Sequence, residues 1–157
     1  MNLNASSNTN SWRERIANLL IPTYLGYLIG VAFLATRAKF QAPSLSFVQL
    51  LDVGRYTFRW LTISEYIIIP LIWFIAVHAR TSKARMLSLL AVVVLTIIEK
   101  AWVQPILDAR VQIYLDGGTP QPSAMHVVFV VIEAGKVLCL LIAALAPDRP
   151  AAPRSEA

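Results

Sequence analysis

The sequence predicts an all-α polytopic membrane protein, a bundle of four transmembrane helices. Three observations carry this prediction. Of 157 residues, 57% are hydrophobic and only 15% are charged, leaner in charge than a soluble domain. The apolar residues arrive in four blocks, at about 16–36, 60–79, 86–104 and 123–146. Each block is long enough to cross ~30 Å of hydrocarbon as a helix rising ~1.5 Å per residue. None of them alternates with a strand period, and only helices or closed barrels satisfy their backbone within a bilayer.

Taken in order, residues 1–11 are rich in Asn and Ser and read as a flexible tail ahead of a single domain, 12–146. The first block follows Arg13 and Arg15 as a signal peptide would, but it exceeds an ordinary signal core. No small-x-small cleavage site follows before Arg37 and Lys39, so it reads as a retained span. Within it, Gly26-Tyr-Leu-Ile-Gly30 has the Gly-x-x-x-Gly spacing that lets another helix come close. That helix belongs either to this chain, to a second copy or to a membrane partner.

Between the first two spans, Phe47, Leu50, Leu51, Gly54 and Phe58 recur near a 3.6 period, with Gln49, Asp52, Arg55 and Arg59 between them. This pattern predicts an amphipathic helix over 46–59, lying on the outer face and leading into the second span. The link to the third span holds Arg80, Lys83 and Arg85 with no acid among them. Beyond that span, Ile106, Leu107, Arg110, Ile113 and Tyr114 share one side of a second short outer helix over 105–116. Pro105 suits its start or a kink, and Gly117-Gly118 its end. Ser123 is placed to cap the fourth helix, and prolines at 147, 150 and 153 stop it and open a second tail, 147–157. Pro22 and Pro70 lie inside spans, while Trp12, Trp60 and Trp102 lie near span ends as interfacial anchors.

The formal charge of +5 does not point to nucleic acid, because the Lys and Arg residues cluster at segment ends. Four spans place both tails on one side with the Arg80–Lys83–Arg85 link. That side holds seven Lys/Arg against six opposite, which favours cytoplasmic termini. A lone cysteine, Cys139, excludes an intrachain disulfide and a Cys-x-x-Cys site. His78 and His126 sit at opposite ends of spans, too far apart to ligate one haem. The chain has no P-loop, dinucleotide fingerprint or His-Glu-x-x-His motif.

The fourth block carries the informative residues, His126, Glu133 and Lys136, along one side of an otherwise apolar helix. A charge at that depth costs at least ~2.5–3.5 kcal/mol on insertion scales, so such groups face a bundle interior. Antiparallel threading brings Glu65, Glu99 and His126 to roughly 8, 8 and 5 Å below the outer ends of their spans. The spacing predicts a polar cluster of Glu65, Glu99, His126 and Glu133, with Arg37 and Arg110 at its mouth and Lys136 setting the charge of Glu133. Such groups bind a small ligand, a proton or a single metal ion, the last held by His126, Glu133 and Glu99, while Tyr24, Tyr27 and Trp73 either line a cavity or, as is more common, pack in the core. The other reading is internal neutralisation, Glu133 by Lys136 and Glu99 by Lys100 or Arg110.

The frame Glu99…Pro105-Ile-Leu-Asp108-Ala-Arg110…Gly118-Thr-Pro120…Ser123…His126…Glu133…Lys136 resembles small bacterial four-helix membrane proteins. That set includes the anthrone-oxygenase-like proteins. The resemblance spans about a quarter of the chain and implies a membrane-embedded four-helix unit, with oxygenation of a small aromatic as one activity. It assigns no role to any residue. The expected function is therefore a polar intramembrane site near the outer leaflet that binds a small ligand or ion or supports membrane redox chemistry. The alternative is a non-catalytic accessory or assembly subunit of a membrane complex, meeting its partner through Gly26 and Gly30.

Overall fold

The computed structural model describes residues 3–79 and 81–146, with side chains described from residue 12. Arg80 and the expected tail at 147–157 lie outside them. Every regular element among the described residues is helical, and four helices are long and apolar enough to cross a membrane. Helix α1 starts at Leu3, runs to Ile29 and continues through a π-turn at Gly30–Ala35 to Thr36–Lys39. Helix α2 is Phe47–His78. Helix α3 begins as Lys83–Ile98, widens through a π-turn at Glu99–Val103 and ends as Gln104–Leu115. Helix α4 is Met125–Leu145.

Several helix boundaries differ from expectation. The stretch 46–59 is not a separate helix on the outer face but the first four turns of α2. Its polar residues Asp52, Arg55 and Arg59 lie on a helix that enters the span without a break. Likewise, 105–116 continues α3 rather than starting anew. The π-turn absorbs Pro105: Gln104 N–H donates to Glu99 O, five residues back, so the helix is already widened where proline removes a donor. Helix α1 also runs through most of the Asn/Ser-rich stretch expected to be flexible, since extending a formed helix adds one hydrogen bond per residue.

Caps fix the ends. Ser46 and Gln49 form a reciprocal capping box at α2, and Ser82 Oγ accepts from Arg85 N–H at α3. At the far end of α3, Gly117 takes φ +81°. Gly118 N–H donates to Ile113 O at 2.8 Å and Gly117 N–H to Tyr114 O at 3.1 Å, a Schellman stop. The structure puts Ala124, not Ser123, at the cap of α4; Ser123 Oγ accepts from Met125 N–H instead. Arg85 is buried and donates to Ala143 O and Ala146 O, two carbonyls at the end of α4.

The four helices form a ring, with α1 packed on α2 and α4, and α3 most extensively on α4. Tyr24, Leu28, Leu61, Ile72, Val92 and Leu140 centre the core, and Val103, Phe129 and Ile132 form a smaller one toward the end that carries the longer connections, outer by the Lys/Arg tally. The surface inverts the soluble rule. Leu34, Tyr66, Ile67, Phe74, Leu87 and Leu145 are more than half exposed, while Glu65, Glu99, Glu133 and Lys136 are at most 1% exposed. Charges inside and aliphatics outside is the order a hydrocarbon solvent favours.

Candidate functional site

Every helix sends a polar group to one point in the ring. Lys136 of α4 stands at its centre. Its Nζ lies 2.7 Å from Glu65 Oε1, 2.5 Å from Glu99 Oε2 and 2.8 Å from Glu133 Oε1. Lys100 of α3 closes the other side, 2.8 Å from Glu65 Oε2 and 2.5 Å from Glu99 Oε1. Tyr24 of α1 donates to Glu65 Oε1 at 3.0 Å. Glu65 and Glu99 thus bridge both lysines, whereas among the described residues Glu133 meets Lys136 alone and its Oε2 has no hydrogen-bond partner.

Local geometry explains the convergence. Glu133 and Lys136 are three residues apart and share a helix face. Neighbours in a regular helix diverge by ~100°, but Glu99 and Lys100 open the π-turn, where the widened backbone changes the phase. The long stem of Lys100 does the rest.

The cluster therefore contains Glu65, Glu99, Glu133 and Lys136, all expected site residues. His126 is not part of it. It is exposed, its ring 6.4 Å from that of Phe129, on a separate outer recess. Seven residues restore the helix face, but they also add ~10.5 Å of rise, and buried Phe129 fills the turn between. Arg37 is exposed and does not line that recess; Lys39 does, with Arg110. Lys100 and Tyr24 belong to the cluster although pairwise reasoning gave them lesser parts.

The acidic groups that come together are Glu65, Glu99 and Glu133, without His126. Their carboxylates approach within 4.8 Å of one another. Yet the Lys136 ammonium already stands where an ion would touch all three. Internal neutralisation accounts for two of the three carboxylates; three acids against two lysines leave one formal negative charge.

One side of the cluster is open. Helices α2 and α3 touch mainly near their outer ends and leave a cleft of about 370 Å³ below, walled by Tyr66, Ile69, Val93 and Ile97. Glu65, Lys100 and Thr96 lie on its floor. Thr23, Thr57 and Thr62 each return a hydrogen bond to the carbonyl four residues back. Thr96, 7% exposed, leaves its Oγ1 without a hydrogen-bond partner among the described residues.

Fold and cluster together define a class, an apolar four-helix bundle with a buried ion network open to one flank. No protein-family model, no curated protein and no solved structure matches the chain.

Proposed function

We propose that the chain is an integral membrane protein whose buried cluster binds a small lipid-dissolved molecule with a polar head, admitted from the bilayer between α2 and α3. The observation that carries this reading is the cleft itself. It has apolar walls and a floor of carboxylate, ammonium and a hydroxyl with no partner, the composition of a ligand site. Glu65 and Lys100 would orient the head, and Thr96 would add the hydrogen bond it now lacks. Glu99, Glu133 and Lys136 hold those two groups in place from behind. The Lys/Arg tally supports cytoplasmic termini, and the resemblance of 99–136 supports a bacterial inner membrane and an aromatic alcohol as the first probe.

The test is isothermal titration of 1-naphthol into the protein in lipid nanodiscs. Saturable binding is expected, weakened about tenfold in Thr96→Val, since one hydrogen bond is worth ~1–1.5 kcal/mol. Ala101 also lines the cleft, and filling it with Ala101→Phe should abolish binding. No saturable binding, or binding indifferent to both substitutions, would sink the reading.

A second reading, an accessory subunit, has its own support. A side chain at Gly26 or Gly30 would meet nothing within 4 Å among the described residues, which leave the Gly-x-x-x-Gly face uncovered. It is free for a partner helix.

A further inference from the structure

The outer ends of the four helices enclose a second recess, separate from the lateral cleft, of about 180 Å³. Its floor is the edge-to-face pair Phe58 and Phe129, ring centroids 4.8 Å apart, which closes it from the ion cluster beneath. Lys39 reaches into it from α1. The ammonium lies 5.1 Å from the Phe40 ring and 5.6 Å from the Phe58 ring, and it passes over Gly54. A Cβ on Gly54 would collide with Lys39 Nζ, so the glycine makes the room that the lysine occupies.

The charges around this recess are unbalanced. Arg55 is paired with Asp52. Neither Lys39 nor Arg110 has a carboxylate within 4.0 Å among the described residues. Arg110 spends one donor on Gln121 O at 2.6 Å, and His126 sits on the rim. Among the described lining residues the one acid is Asp108, which accepts from Gln104 Nε2 at 3.2 Å. A half-buried ammonium over aromatic rings, a guanidinium and an imidazole thus come from three different helices to a recess with a single acid among its described lining residues. Ammonium, guanidinium and a ring N–H all donate to an oxyanion, and guanidinium in particular matches phosphate geometry.

We propose that this recess is an anion site that takes a phosphate group, with Lys39 and Arg110 as its principal donors. The group is carried either on an anionic lipid head, since span ends lie at head-group level, or as free phosphate. The site stands independently of ligand binding in the lateral cleft.

Two probes distinguish the sources. Native mass spectrometry of detergent-solubilised protein measures retention of dioleoylphosphatidylglycerol against dioleoylphosphatidylcholine. Thermal unfolding with sodium phosphate, against sodium chloride at matched ionic strength, measures the free anion. Preferential retention of the glycerol lipid assigns the site to a lipid head, and a phosphate-specific upward shift assigns it to the free anion. Either effect should fall at least tenfold in Lys39→Met/Arg110→Gln. Gly54→Ala should reproduce the loss by displacing Lys39, and if that variant misfolds, Lys39→Met alone carries the test. Neither effect in the wild type, or effects unchanged in the double variant, would overturn the proposal.

Discussion

Lys136 is the residue on which the interior depends, because one ammonium lies within 2.8 Å of three carboxylates and is itself fully buried. Lys136→Met leaves Glu65 and Glu99 to Lys100 and strips Glu133 of its ammonium, and breaking a buried ion network from one side costs ~3–5 kcal/mol. Glu133→Gln acts oppositely on charge: it keeps the shape and removes the surplus negative charge. Its expected effect is within ~1 kcal/mol of wild type. Unfolding in graded SDS, followed by circular dichroism, measures both; equal losses would refute the charge argument. Much of this cluster was legible in the sequence. Counting residues from span ends set Glu65 and Glu99 at one depth, and the cost of charge in hydrocarbon turned Glu133 and Lys136 inward. His126 was misplaced because a seven-residue spacing reports rotation, while two turns of height decide contact. Lys100 was reduced to a neighbour of Glu99 because a regular helix would point it elsewhere, and only the π-turn reunites them.

At the scale of the element, the four apolar blocks mark the spans, but not how far the helices run beyond them. Asp52, Arg55 and Arg59 ahead of the second span, and Pro105 after the third, look like boundaries in one dimension. In three dimensions both helices continue, because α2 packs its first turns on the outer half of α3 and a π-turn accommodates the proline. The short motif in α1 shows the reverse case. Gly26 and Gly30 predict a close approach, yet within the chain a side chain on either would meet open space. If the accessory reading holds, Gly26→Leu disrupts a complex with another membrane protein or a second copy, and leaves the monomer folded. Crosslinking in native membranes followed by size-exclusion chromatography reads this directly. A wild type that migrates as a lone monomer, with Gly26→Leu identical, would remove the accessory reading.

For the whole molecule, the question is whether the five charges hold the bundle together or serve a ligand. Buried ion networks are poor stabilisers, since desolvation offsets attraction and apolar side chains of similar volume often do as well or better. Here the helices meet over two apolar cores that do not include the charged residues. Arg85 and the caps secure helix ends well away from the cluster. Nothing in this architecture requires ions at its centre. Replacing all five together, Glu65→Gln, Glu99→Gln, Glu133→Gln, Lys100→Met and Lys136→Met, should therefore yield a bundle that inserts and unfolds at or above the wild-type SDS midpoint. The same variant should lose 1-naphthol binding, because the cleft would keep its walls and forfeit its charged floor. Stability that collapses with all five replaced would instead make the ions structural glue. Retained stability with lost binding means that the chain bears the expense of charge in hydrocarbon for the sake of a ligand.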